Sequence, residues 1–398
     1  MKRLLPFFYL LLAAAIGILA GIADTIFGRV LLAISSFRAA HYQYLLIFLP
    51  PAGLLIVWLY HRFSRLSLKG MTLVFEAGQK KREALPLLLA PLVMLCTWIT
   101  HLFGGSTGRE GVAVQIGAVL SHTAACKLKL SPEGKHIMLV AGMAAGFGGL
   151  FQTPLAAAFF AIEVITCGYL DYRALPAALT ASYVAAFTSQ ALGLEKFTVN
   201  LSSSLPLVDG RNLFLLLILG IAFGLTGRLF SFLLGEAKKR VGEKLPNPYL
   251  RIGLASIPLA ILLMLLHAGR YCGLGTNLIS LSLEGGLIYP YDFALKLLFT
   301  ILTLALGFQG GEVTPLFSIG ASLGVLLGNA LQLPTEVCAA LGYAAVFGSA
   351  TNTLIAPVLI GLEVFGAANM PQFVIVCVLA HAVNQNRSIY STQEKLEL

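Results

Sequence analysis

Two stretches of this chain are copies of each other. Residues 142–164 read GMAAGFGGLFQTPLAAAFFAIEV, and residues 342–364 read GYAAVFGSATNTLIAPVLIGLEV. Nine of these 23 positions are identical in register: Gly142, Ala144, Ala145, Phe147, Gly148, Thr153, Ala156, Glu163 and Val164. About two matches are expected by chance in so biased a composition. A shift of 203 also pairs Ile116-Gly117-Ala118 with Ile319-Gly320-Ala321, Gly108 with Gly311, and Gly70 with Gly273. The chain therefore reads as two homologous halves, 1–205 and 206–398. Whatever it folds into must use one unit twice.

The medium follows from composition. Hydrophobic residues make up 58% of the chain and charged residues only 11%. Soluble domains carry about 25% charged residues, so a water-facing surface cannot be built here. In lipid every backbone polar group needs an internal partner, which leaves helical bundles or closed barrels. The apolar segments are continuous rather than alternating, so the expectation is an all-α, polytopic membrane protein. Fourteen such segments run from 4–22 and 43–60 to 353–368 and 371–383. Many fall short of the ~20 residues that a perpendicular span requires. Gly or Pro breaks several, and the 40 glycines favour close helix packing. The expected fold is a bundle of tilted and half-crossing helices.

The net charge is +9. Its placement argues against nucleic acid, because no basic face is interleaved with aromatics. Lys and Arg cluster between apolar segments instead: Arg62, Arg65 and Lys69; Lys80, Lys81 and Arg82; Lys127, Lys129 and Lys135; Lys238, Lys239 and Arg240. Such loops mark the cytoplasmic side. The region corresponding to 80–82 in the second half, 283–292, holds Glu284 and Asp292 and no Lys or Arg. The two halves are therefore expected to insert upside down relative to each other, with the substrate site at their interface. Met1-Lys2-Arg3 ahead of a long apolar run reads as the start of the first membrane helix rather than a cleaved signal. The six cysteines are scattered singly, and no metal spacing or cofactor motif appears.

Four segments carry chemistry. Gly104-Gly105-Ser106-Thr107-Gly108-Arg109-Glu110-Gly111-Val112 leads into an apolar helix. Glycine-rich backbone ahead of a helix leaves free N–H groups at the positive end of its dipole, which makes an anion site. Glu110 stands in that place, and an ionisable residue at membrane depth is a functional candidate. The bland reading makes Glu110 a helix cap or a partner of Arg109. The repeat counterpart is Gly310-Gly311-Glu312-Val313-Thr314-Pro315-Leu316-Phe317, with Pro315 in the first turn and Val313 opposite Glu110. Two helix N-termini brought together would bind an anion through backbone dipoles, firmly enough to admit it and weakly enough to release it. The third segment is Lys69-Gly70-Met71-Thr72, with its counterpart Gly273-Leu274-Gly275-Thr276-Asn277. The fourth is Asn386-Arg387-Ser388-Ile389-Tyr390, whose Tyr reads either as an interfacial belt residue or as a ligand.

Together these segments resemble the CLC family of anion channels and anion/proton antiporters, over nearly the whole chain. The resemblance rests on Gly108-Arg109-Glu110-Gly111, on Gly310-Gly311 followed by Pro315, on the two halves and on the terminal tyrosine. It implies that Glu110 gates the anion path and carries protons. It implies that Tyr390 contributes to a central anion site, and that the protein is a homodimer with a separate path in each subunit. Met71, Thr72, Arg109, Gly111, Val112, Glu312, Val313, Thr314, Pro315 and Asn277 complete the expected anion-binding set. No regulatory domain is expected after the last apolar run.

Departures from the chloride-transporting pattern point to a branch. That pattern has serine in G-S-G-I-P where this chain has Met71, and phenylalanine in G-x-F-x-P where it has Val313. The internal proton-transfer glutamate of many antiporters follows the position of Glu163, where Val164 stands here. The run Gly310 to Phe317 looks like the bacterial fluoride/proton antiporters. Fluoride is small and a strong hydrogen-bond acceptor, and Thr314 and Glu312 offer polar groups where a phenyl ring would not. Glu163 and Glu363, equivalent in the repeat, read as structural hydrogen-bonders that hold a half-helix, or else one of them relays protons. The expected function is fluoride export from the cytoplasm across the plasma (inner) membrane in exchange for protons, with chloride/proton exchange or a passive chloride channel as the alternative. An organic-solute transporter would need larger polar clusters within the apolar segments. An intramembrane enzyme would need an H-E-x-x-H or a Ser/His pair at suggestive spacing, and neither is present.

Overall fold

The computed structural model describes residues 5–206 and 209–396. Met1-Lys2-Arg3 lie outside the described residues. The first half contains α1 (Leu5–Leu45), α2 (Leu49–Phe63), α3 (Met71–Gly78), α4 (Leu89–Leu102), α5 (Glu110–Lys127), α6 (Pro132–Phe151), α7 (Pro154–Glu163) and α8 (Leu175–Ala191). The second contains α9 (Gly210–Lys244), α10 (Pro248–Leu265), α11 (Thr276–Leu283), α12 (Asp292–Leu306), α13 (Val313–Leu331), α14 (Thr335–Thr351), α15 (Ile355–Phe365) and α16 (Met370–Asn384). Each helix of the first series has a partner at the same place in the second. Two short parallel strands, β1 (Thr166–Cys167) and β2 (Glu394–Lys395), tie the chain end to the loop after α7.

Among the described residues, five helical stretches are long and apolar enough to cross a bilayer, whereas α4, α7, α15 and α16 are apolar but only 10–17 residues long. The mixture of spanning and half-crossing helices is what the interrupted segments predicted. The segments left out the short helices α3 and α11, and the first boundary also differs. The apolar segments 4–22 and 43–60 suggested a break between them, but α1 runs through it to a kink at His41 (φ −127°, ψ 21°). Residues that look like breakers lie within it, and the two arginines among them find tertiary acceptors. Asp24 is buried, Arg29 donates to the Leu192 carbonyl and Arg38 to the His101 carbonyl.

The core lies where α5, α6, α13 and α14 cross. A Cβ on Gly117 would sit 2.0 Å from the Gly142 carbonyl oxygen, and one on Gly320 would sit 2.0 Å from that of Gly342. Only glycine permits backbones this close, and lipid-embedded helices rely on such contacts because the hydrophobic effect does not drive them together. Both crossings obey the repeat. So do the ends of α6 and α14, which stop at the left-handed residues Gln152 (φ 55°) and Asn352 (φ 57°). On the outside, Phe214, Leu217, Ile221, Leu225, Leu229 and Phe232 of α9 are exposed at helical spacing, an apolar stripe suited to lipid or to another protein.

Two carboxylates fasten the halves together. Glu163, at the end of α7, accepts from the backbone N–H groups of Leu354, Ile355 (3.2 Å) and Ala356 (3.3 Å) at the start of α15. Glu363, at the end of α15, accepts from Leu155 (3.1 Å) and Ala156 (2.8 Å) at the start of α7. Each satisfies orphan donors and the positive dipole end of the other half's helix. This is the structural role the repeat suggested for the pair.

Candidate functional site

The two glycine turns meet at the centre. Gly108 and Gly311 form an antiparallel bridge, in which the Gly311 amide donates to the Gly108 carbonyl at 2.8 Å. A 203-residue shift relates these two glycines, so the bridge lies on the approximate two-fold axis of the repeat. Helices α5 and α13 start immediately beyond it, with their N-termini side by side. Within the described residues nothing accepts from the amides of Gly111 or Val313. Free N–H groups and two dipole ends therefore converge on one point.

Glu110 fills that point. Its side chain is fully buried. One carboxylate oxygen accepts from the Thr314 amide at 3.1 Å, from the Thr314 hydroxyl, and from the Arg109 amide at 3.3 Å. The other oxygen has no hydrogen-bond partner among the described residues and lies 3.7 Å from Arg109 Nε. A carboxylate from the first half thus occupies donors supplied by the second. Protonation would take away its charge and much of its claim on them.

Below the bridge a cavity of about 300 Å³ reaches up to Gly111, Gly310 and Gly311 and stops short of Glu110. Gly70, Met71 and Thr72 line it, at the start of α3. So do Phe75 and Tyr390, whose rings lie 5.0 Å apart. Glu312 also faces it, 3.6 Å from Lys238 of α9. Lys69 and Lys238 stand on its walls, on the face that the basic loops led us to expect at the cytoplasm.

The structure gathers Met71, Thr72, Gly111, Glu312, Thr314 and Tyr390 around the Glu110 carboxylate and this cavity, with Arg109 beside Glu110. It does not gather the whole expected set. Val112 offers an anion nothing, since its side chain is in the core and its amide donates to the Arg109 carbonyl at 3.1 Å. Val313 keeps a free amide, but its side chain packs in the same core. Pro315 has no N–H, and its ring packs on Gly108, where a Cβ would approach its Cδ to 2.8 Å. It shapes the bridge rather than binding anything. Asn277 lies at a separate cavity, its amide donating to the Arg270 carbonyl at 3.0 Å.

Sequence reasoning missed several residues. Gln115 lines the inner cavity from one turn beyond Gly111, with its carbonyl oxygen unpartnered. Phe75 lies one turn beyond Met71. Lys296 is fully buried in α12, where it donates to Ser106 Oγ at 2.9 Å and to the carbonyls of Tyr271 (3.2 Å) and Gly273 (2.6 Å). A lone lysine inside an apolar run is a legible signal.

Comparisons with known proteins agree with this geometry. Residues 52–385 match the family model described as voltage gated chloride channel. A "chloride/fluoride channel protein" of Pseudomonas syringae pv. tomato is 34% identical over 98% of this chain and 87% of its own length. An "H(+)/Cl(−) exchange transporter ClcA" of Klebsiella pneumoniae is 26% identical over 82% of this chain and 73% of its own. Among solved structures, a CLC-type fluoride/proton antiporter superposes with a TM-score of 0.96 at 49% identity, covering 98% of both chains. A slow cyanobacterial chloride/proton antiporter shares the fold with a TM-score of 0.82 at 18% identity. The chain belongs to the voltage-gated chloride channel (CLC) family of polytopic membrane proteins.

Proposed function

We propose that this protein is a fluoride/proton antiporter that exports fluoride from the cytoplasm across the plasma (inner) membrane, driven by protons moving inward. One observation carries the reading: the carboxylate of Glu110 sits on the donors that a permeating anion needs. Anion and carboxylate compete for the same amides and the same hydroxyl. Protonation releases the side chain, and the returning carboxylate displaces the anion, so the two fluxes become one cycle.

Fluoride is supported by the chemistry of the path. Thr314 presents a hydroxyl and an amide at one point, suited to a compact, strong acceptor. Met71 stands where the chloride pattern has serine, and Val313 where it has phenylalanine. The two relatives of greatest coverage described above carry fluoride in their descriptions. The reading includes a homodimer with one path per subunit, which the mass of the detergent-solubilised protein tests.

The deciding experiment loads liposomes with fluoride or chloride and records anion efflux and internal pH together. Fluoride efflux with opposed proton movement, weak for chloride, is expected. Equal fluxes of both halides would transfer the assignment to chloride/proton exchange, and anion efflux without proton movement would transfer it to a channel.

A further inference from the structure

The inverted repeat gives the inner cavity a counterpart on the opposite face. Gly70-Met71-Thr72 lines the inner one, and the equivalent turn Gly275-Thr276-Asn277 lines a second cavity of about 370 Å³. Ser35, Arg38, Tyr42 and Arg270 complete its polar wall. Two arginines and several hydroxyl and amide groups face this space, with no carboxylate among the described residues that line it.

The two arginines differ. Arg270 is neutralised by Asp292, at 3.1 and 2.7 Å. Arg38 is not. Its Nη1 donates to the His101 carbonyl at 3.1 Å, and its guanidinium lies over Gly273, where a Cβ would stand 2.1 Å from Nη1. Behind the cavity floor is Lys296, whose Cε would be 2.8 Å from a Cβ on Gly275. Lys296 meets only carbonyls and the Ser106 hydroxyl, four residues before Glu110. Among the described residues no carboxylate is within ion-pair distance of Arg38 or Lys296. Buried cations without a counter-charge are costly in a low-dielectric surrounding. Arg38 lines this acid-free cavity and Lys296 lies behind its Gly275 wall, and the charge they lack is negative.

We propose that this outer cavity is a second anion site, a station that holds a small inorganic anion, still largely hydrated, beside Arg38 on the outer side of the gate. The inference rests on the anion-transport reading above and adds a step to it. The roomy outer station, with its weakly hydrated guanidinium and ring of hydroxyls, takes the ion with its water. The cramped junction of α5 and α13 takes it stripped. Asn277, assigned by the repeat to anion binding, serves this station rather than the central site.

Membrane vesicles of known orientation test the proposal, with fluoride supplied to one face at a time. Arg38→Gln should raise the half-saturating fluoride concentration at the outer face by about tenfold, and Arg38→Lys by less. Asn277→Asp, at an exposed position, adds a negative charge to the cavity and should raise it too. The inner-face value is the internal control. Unchanged outer-face half-saturation in both Arg38→Gln and Asn277→Asp overturns the proposal. Should Arg38→Gln fail to fold, Asn277→Asp decides alone. If fluoride moves normally but neither substitution matters, only the outer station falls. If the wild-type protein moves no anion, the transport reading falls with it.

Discussion

Three glutamates place their carboxylates at helix N-termini of the opposite half, and they are not alike. Glu163 and Glu363 are a matched pair, one from each half, and each accepts two or more backbone N–H groups from the other half's helix. Glu110 has no match, because Val313 stands in the equivalent place, and one of its oxygens lacks a hydrogen-bond partner. The matched, saturated pair holds the halves together. The unmatched, half-satisfied carboxylate can leave its donors without exposing its double. In a duplicated fold, kept symmetry marks construction and broken symmetry marks the working part.

That contrast can be broken at its strong end first. Glu110→Gln imitates the protonated gate permanently, and proton flux coupled to anion flux should fall at least about 100-fold, read by internal pH during anion efflux. Undiminished proton movement would refute the gating role. Glu163→Gln and Glu363→Gln should do the opposite. Each removes a charge-assisted cap and should cost about 2 kcal/mol of stability, measured as denaturation of the detergent-solubilised protein, with the proton-to-anion ratio unchanged. A shifted ratio in Glu163→Gln would make that residue a relay and end the symmetry argument.

Two smaller effects sharpen the comparison. Thr314→Val removes one donor of about 1 kcal/mol from the gate, so the preference for fluoride over chloride should fall about fivefold in paired flux assays. An unchanged preference would leave Thr314 without a selective role. On the cytoplasmic side, Glu76 of α3 is held below the usual carboxylate range by its hydrogen bond and charge contact with Arg82, 2.8 Å away, with Lys69 at 3.7 Å assisting against a weak effect of burial. A depressed carboxylate stabilises the fold above the ordinary carboxylate pKa, and that contribution is lost as pH falls through the lower folded value. Glu76→Gln should therefore lower the thermal midpoint by about 1–2 °C at neutral pH. The difference should close below about pH 4, and a gap that persisted there would show that α3 is held by something else.

Much of this was legible in the residues. Chain-wide apolarity sets the medium, and the repeat sets the pairing of helices. The two glycine turns mark the gate because anion binding by backbone needs glycine and a helix start together. Other features were not legible for physical reasons. Val112 and Val313 flank the gate in sequence, but a helix turns its side chains about 100° per residue, so a neighbour in the chain faces the core. Asn277 was assigned as part of the repeat counterpart of the 69–72 turn, and an inverted repeat sends equivalent turns to opposite faces. The continuity of α1 through Asp24, Arg29 and Arg38 depends on partners at Leu192 and His101, far away in sequence.

The Gly108–Gly311 bridge has a consequence for movement. It stitches the two halves at their shared axis, and the Glu163 and Glu363 clasps fasten them again beside it. Rocking one half against the other would have to break these bonds at the pivot, so the fold favours exposing the centre without swinging the halves apart as rigid shells. What remains free to move is a single side chain and the few residues around it. Under the proposed exchange cycle, turnover would be a matter of local reorientation within a fixed frame, and a covalent staple across the two halves away from that side chain should leave it running.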